Sequence, residues 1–243
     1  RRAFDVLMEA QNHWANMDRY RKERERNKRY CYGDQWKDII QADGKYMTEE
    51  EYIASQGNVP LKNNLIRRLV RNVLGVYRSQ ASEPTCTARD RDEQKLSETM
   101  TTILQCNMQA NMRKEVDARS MEEFLIGGLI VHKKWYGWRH DKLDCWTDYI
   151  QPNNFFIDAN MRDFRGWDCS CIGQVHDISF QNLVQQCAKS PQDYAVLKNI
   201  YKRAGDKGYI AATCEEFGYS RLQDYDFLFT SKPDRCRVVE VWR

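Results

Sequence analysis

Cys169, Cys171, His176 and Cys187 form a C-x-C-x4-H-x10-C series made of metal-ligand residue types. Cysteines at i and i+2 on a strand point to one face, whereas a structural zinc site draws ligands from turns with short gaps. The competing reading is a set of buried thiols with a histidine at a strand end. Asp158, Asp163, Asp168 and Asp177 fall near expected strand ends, where carboxylates could hold a divalent cation for nuclease or phosphoryl-transfer chemistry. No lysine or glutamate motif accompanies them, and the Walker, nucleophile-elbow and HExxH signatures are absent. Aspartates in IDANMRD serve more simply as turn formers and helix caps. No catalytic residue, metal or cofactor is assigned, and the chain is not expected to be an enzyme.

Two further stretches could meet phosphates. The run Arg19–Arg29 holds Arg19, Arg21, Lys22, Arg24, Arg26, Lys28 and Arg29 against Glu23 and Glu25, which also fits a solvated helix face. The segment VHKKWYGWRH, Val131 to His140, interleaves Lys133, Lys134 and Arg139 with aromatic rings that could stack bases. Its bland reading is a half-buried hairpin with Trp135 inward and the lysines in solvent. Over the whole chain, 38 basic and 35 acidic side chains nearly cancel, so bulk charge does not call for nucleic acid.

The elements that must position these residues follow from patterning. Phe4, Leu7, Met8, Trp14 and Met17 recur at helical spacing, predicting one amphipathic helix that runs through the basic stretch to about Tyr30. Gly33 and Asp34 supply a turn, and TEEEY at Thr48 to Tyr52 predicts a short capped helix. Asn63 or Asn64 caps the next helix, which presents Leu65, Ile66, Leu69, Val70, Val73, Leu74 and Tyr77 to a core and Arg67, Arg68, Arg71 and Arg78 largely to the other side. Thr85 to Ala88 is short and β-prone. Helix formers dominate 92–107 and 109–125, and glycines 127 and 128 end that stretch. A β-hairpin is expected over 129–138 and 143–150, with strands over 155–158, 167–175 and 238–242. Ser179 caps a helix to Ala188, and Pro191 opens another to about Arg203. Residues 205–237 lack periodicity and read as an irregular, exposed connection.

The fold class is therefore α+β, long amphipathic helices packed on a small, mostly antiparallel sheet, with a helical portion 1–128 and a β-rich portion 129–243. Nine scattered cysteines without a CxxC pair, and no secretory leader at the start, suit a reducing setting with free thiols. The longest apolar run, Phe124 to Val131, is far short of a membrane span. Both ends resemble cut points within a longer chain.

In order and spacing, YCYGDQW after the basic helix, PLKNNLIRRLVRNVLGVYRSQASEP, LIGGLIVHKKWYGW and IQPNNFFIDANMRDFRGWDCSCIGQVHDIS resemble the N-terminal part of a tailed-bacteriophage portal protein, in its podovirus and crAss-like branch. The resemblance covers most of residues 20–185 and fades over 190–236. It implies a homo-oligomeric ring, usually of twelve subunits, at one capsid vertex. Double-stranded DNA passes through such a ring, and terminase, tail adaptor proteins and the major capsid protein meet it. No membrane is involved, and assembly is in the host cytoplasm. It also implies that this stretch is mostly the wing, with stem, clip and tunnel loop beyond Arg243. On that reading Trp36, Trp135 and Tyr77 anchor the wing core. Arg67, Arg68 and Arg71, with Arg24, Arg26 and Lys28, face either a neighbouring subunit or DNA. Glu49, Glu50 and Glu51 of an adjacent copy are the acids then expected to meet Arg67, Arg68 and Arg71. The alternative is a nucleic-acid-binding adaptor using the basic helix and the aromatic hairpin.

Overall fold

The structure, a computed structural model, describes residues 2–42, 44–80, 83–139, 141–163, 165–204, 227–228 and 235–243. His140, Cys214 and most of the expected 205–237 connection lie outside the described residues. The architecture is α+β, with helices and, among the described residues, three small antiparallel sheets. It divides into two compact units, Arg1–Asp18 with Asn153–Arg243, and Arg19–Pro152. The β-rich 129–243 portion thus contributes strands to both.

In the first unit, helix α1 (Arg2–Asn16) stops where the Met17 amide turns back to the Trp14 carbonyl at 3.2 Å. The expected single helix to Tyr30 is therefore two, and α2 (Asp18–Tyr32) starts anew. The cause is packing: Ala10 and Trp14 belong to the core of the first unit, while all of α2 after Asp18 belongs to the second. Around Ala10 and Trp14 gather Phe156, Cys171, Val175 and Phe227. The three rings meet edge-on or tilted, with centroids 5.8 to 6.4 Å apart, the arrangement that aromatic quadrupoles favour. Phe227 is fully buried, which corrects the expectation that its whole surrounding connection is exposed.

The sheet of this unit has the order β5 (Phe155–Ile157), β6 (Ile172–Ser179), β7 (Arg235–Trp242). The expected strand at 167–175 starts only at Ile172, because the residues before it form turns. The final strand starts at Arg235 rather than Val238. Gly173 has no room for a side chain: a Cβ there would lie 2.3 Å from Phe156 Cζ and 2.4 Å from the Glu240 carbonyl. Ser179 caps α7 (Phe180–Cys187) by accepting from the Asn182 amide, and Pro191 opens α8 (Pro191–Ala204).

In the second unit, β1 (Ile39–Ala42) and β2 (Lys45–Thr48) lead into α3 (Glu49–Ser55). The TEEEY signal is a complete capping box: Thr48 accepts from the Glu51 amide and the Glu51 carboxylate accepts from the Thr48 amide. Next come α4 (Leu65–Ser79), a 3-10 turn at Arg91–Glu93, α5 (Gln94–Ala110) and α6 (Arg113–Gly127). Residues 83–88 are coil, correcting the β-prone reading of Thr85 to Ala88, since the Cys86 amide bonds the Thr101 hydroxyl and no strand. Strands β3 (Val131–Arg139) and β4 (Lys142–Ile150) pair from Val131 with Ile150 to Arg139 with Lys142. The free edge of β4 is met by the end of α5 and its C-cap: Asn107 donates to the Cys145 carbonyl, and the Asn111 side chain donates to the same carbonyl and accepts from the Thr147 amide, at 2.9 and 2.8 Å. Two asparagine side chains thus do what a third strand would do for an open edge.

Candidate functional site

The basic helix is mostly held by its own unit. Arg24 is 2% exposed, and its guanidinium donates through Nε and Nη2 to Glu123 of α6. It faces neither solvent nor a partner, which corrects its assignment to an outward basic surface. The physical reason is that a buried cation must be paired, and Glu123 is the carboxylate that α6 supplies. Tyr20 and Tyr149 flank this pair. Burial, with Glu123 nearby, pushes the Tyr149 phenol up to about 12. Arg26 and Arg29 both donate to Asp38, at 2.6 and 2.7 Å, and Tyr30 adds a third bond. Burial opposes ionisation of Asp38, but these donors hold its carboxyl below the usual range. Lys28, half exposed, lies 3.9 Å from Glu123.

The aromatic turn joins this helix to α4. Gly33 sits at φ +95°, a left-handed conformation that side chains resist. The Trp36 indole donates to the Leu61 carbonyl at 3.1 Å. Asn64 works in two directions: its oxygen caps α4 by accepting from the Arg67 amide, and its nitrogen donates to the Cys31 carbonyl at the end of α2. Arg67 lies over the Tyr32 ring at 5.2 Å.

Beyond that cap the expected burial of α4 fails. Val70 and Leu74 are half buried, and α4 touches α6. Leu65, Ile66, Leu69, Val73, Val76 and Tyr77 are exposed, so Tyr77 anchors no core among the described residues. Sequence periodicity finds an apolar stripe but says nothing about who covers it. Arg68, Arg71 and Arg78 are also exposed, with no ion pair among the described residues. Of the acids expected to meet α4, Glu51 is used in the capping box and Glu50 lies 3.4 Å from Lys62.

The hairpin has two unlike faces. On one, Arg139 makes a double hydrogen bond to Asp148 at 2.8 Å, and the Trp135 indole donates to the same carboxylate. Arg139 also stacks on Trp135 and Trp146 at 4.8 and 5.2 Å. These bonds hold the Asp148 carboxyl below the usual range, Arg139 first among the causes. Trp135 is thus half buried on this face together with Lys133, so of the two lysines expected in solvent only Lys134 is exposed. On the other face Lys134, Tyr136 and Trp138 are exposed in succession.

The two constellations with metal-like spacing do not assemble. Among the described residues, no group of three or more His, Cys, Asp or Glu is placed to hold a metal ion. Cys171 is buried in the core, Cys187 is exposed on α7, and the Cys169 thiol bonds the Cys171 carbonyl. Asp158 accepts from the Ser170 hydroxyl and the amides of Ser170 and Asn160. Asp168 accepts from the amides of Arg162 and Asp163, Asp163 from Arg165, and Asp177 from Arg237. These aspartates are spent on turns and ion pairs. Ser120 and His132 lie 2.6 Å apart, the pairing of an activated nucleophile. However, the Ser120 hydroxyl donates its one proton to the Val116 carbonyl and is 1% exposed, so the imidazole must donate to it and cannot act as its base.

Sequence reasoning missed Glu123 and an exposed stripe on α5, formed by Leu96, Met100 and Ile103. A four-three spacing marks that stripe, and the serine and threonine residues around it mask the signal. Comparison with known proteins adds the remaining finding. The family model described as phage P22-like portal protein matches residues 7–243. The portal protein of Helicobacter pylori bacteriophage KHP30 is 27% identical over 131 residues, covering 53% of this chain and 22% of that protein. The match thus spans about a fifth of the relative's length, and the family match extends past the 20–185 range over which motifs are legible.

Proposed function

The chain belongs to the phage P22-like portal protein family, and from that membership we propose that it forms part of a ring at a single capsid vertex. The observation that carries this reading is the family match over residues 7–243. The role is structural. Double-stranded DNA passes through the ring during packaging and ejection, terminase docks during packaging, and tail adaptor proteins attach afterwards. The 1–128 and 129–243 portions are both wing, whose outer radius meets the major capsid protein. Assembly takes place in the host cytoplasm, and the finished protein resides in the virion. Among the described residues, no helix is long and apolar enough to cross a membrane.

What supports an assembly role is the distribution of surface. A ring closes through heterologous contacts, so each subunit must expose two different patches. A helix with an exposed apolar stripe, and with Arg68, Arg71 and Arg78 making no ion pair among the described residues, suits such a patch. The test is negative-stain microscopy of the full-length polypeptide: rings with a central hole are expected, and discrete monomers would overturn the reading.

A second reading, a nucleic-acid-binding adaptor, is favoured by one observation, the shared exposed face of Lys134, Tyr136 and Trp138. Binding of the chain to single-stranded DNA that weakens steeply with salt and disappears in Trp138→Ala would favour it.

A further inference from the structure

Over 94–127 a single residue interrupts what is otherwise right-handed backbone. Asn111, which follows α5, lies at φ −85° and ψ 0°, whereas Met112, which precedes α6, lies at φ +48° and ψ +43°. That left-handed conformation strains any residue with a Cβ. Nothing local asks for it, since no glycine or proline lies between Gln94 and Ile126. The break is held from outside. Asn111 donates to the Cys145 carbonyl and accepts from the Thr147 amide, and Asn107 donates to the same carbonyl and to the Asp144 carboxylate. Upstream of these bonds α5 is lightly held. No residue of it is buried among the described residues, and its Thr101 hydroxyl accepts from the Cys86 amide. A cleft of about 540 Å³, lined by Leu104, Met108, Tyr136 and Thr147 among others, opens between its last turns and the hairpin. By contrast α6 is fixed: Ala118, Ser120 and Ile126 are buried, Glu123 pairs with Arg24, and Ser120 meets His132 of β3.

We propose that α5 and α6 form a latched hinge, bent in this structure and straightened into one helix over 94–127 when Met112 rotates into the right-handed region and Asn107 and Asn111 leave the edge of β4. Each form satisfies what the other gives up. Straightening relieves Met112 and runs the helical ladder through the break, pairing carbonyls at the end of α5 with amides at the start of α6 that a helix terminus leaves open. It gives up the asparagine bonds, because both asparagines lie on the α5 side of the hinge while β4 stays with α6. A segment with two discrete arrangements, biased by a few hydrogen bonds, is an element that a binding partner can switch. The straight form uncovers the Cys145 carbonyl and the Thr147 amide, where a further strand can pair. The hinge lies wholly within the second unit and does not depend on the portal reading.

The experiment uses the full-length polypeptide, with nitroxide labels at positions 99 and 119, both exposed. The labels are attached through a keto amino acid, which spares the native cysteines, and unlabelled copies are added in excess. Electron double resonance then reads distances within one copy. A straight helix separates the two positions by roughly 30 Å along its axis, at 1.5 Å per residue, and the bent form is shorter. Wild type is expected to show the short distance as its main population. Asn107→Ala with Asn111→Ala is expected to raise the ratio of long to short about tenfold. Adding Met112→Gly, which suits a left-handed backbone and weakens a continuous helix, is expected to lower that ratio again by about the same factor. A short distance that persists alone in the asparagine double variant overturns the inference. So does a ratio that Met112→Gly leaves unchanged, or a wild type that is wholly long. If circular dichroism shows the double variant to be unfolded, Asn111→Gln, which keeps the amide and shifts it by one methylene, is read in its place by the same criteria. Rings and monomers give the same reading, so failure here leaves the portal reading untouched.

Discussion

Arg24 of α2 and Glu123 of α6 form a buried ion pair across 99 residues of sequence, the arginine donating through both Nε and Nη2 to a single carboxylate oxygen. Removing one partner strands the other charge. Arg24→Ala is expected to destabilise the second unit by about 3–5 kcal/mol, and Arg24→Met with Glu123→Leu by much less, because a matched apolar pair leaves no orphan charge. Urea unfolding of the single and double variants measures the difference. Equal losses in both would show that packing, not charge pairing, holds α2 to α6.

Asn64 links two helices through one side chain, capping α4 and bonding the last turn of α2. Asn64→Ala is expected to cost about 1–2 kcal/mol. Asn64→Asp keeps the cap but loses the amide donor to the Cys31 carbonyl, so it should fall between the two. Thermal melts of the three proteins give the order.

Gly173→Ala tests the tightest backbone approach in the first unit. An alanine Cβ would collide with the Phe156 ring edge and the Glu240 carbonyl. The ring can give and the carbonyl, fixed in the β6–β7 ladder, cannot. The expected loss is about 3 kcal/mol, at the upper end for overpacking. A melt within a degree of wild type would mean that the strand pairing at Gly173 is wrong.

How much of this was legible in the sequence depends on whether the cause was local. The Thr48 capping box and the Asn64 cap are written within four residues, and both stand where the pattern puts them. The hairpin is equally local, set by alternation on both sides of the polar RHDK stretch. The break at Met17 is not, for no glycine or proline marks it, and it arises because Trp14 packs in one unit and α2 in the other. Phe227 has no periodic neighbours to reveal that it is buried. Residues 167–171 are expected to open a strand, but Asp158 accepts from the Ser170 amide and Asp168 from the amides of Arg162 and Asp163, and the segment turns instead. Periodicity located the α4 stripe correctly and misjudged its burial, because the rule that an apolar face is covered does not say by which chain.

His132 gives the pH dependence a definite sign. Burial, then nearby Arg113, lowers its pKa below the ordinary value of 6.5. A depressed folded pKa means that its contribution is fully present above about 6.5 and is lost as pH falls from there through the folded value, since the unfolded chain takes up the proton first. The urea midpoint of wild type should therefore drop between pH 7 and pH 5 with a slope that His132→Gln flattens. Titration of the His132 ring by NMR locates the folded pKa directly, and a value above 6.5 would reverse the sign.

The two faces of the hairpin should respond oppositely to the same substitution. Trp135 packs against Trp146 and Arg139 and donates to Asp148, so Trp135→Ala is expected to cost about 3 kcal/mol. Trp138 and Tyr136 are 70 and 68% exposed, and their alanine variants should stay within about 0.5 kcal/mol of wild type. Differential scanning calorimetry distinguishes the outcomes. Large exposed aromatics that add nothing to the fold concentrate on surfaces that meet another molecule. A neutral Trp138→Ala would show that the fold does not need that ring and would leave the face free to meet a partner. A costly one would place it in the core and remove the hairpin from the list of contact surfaces.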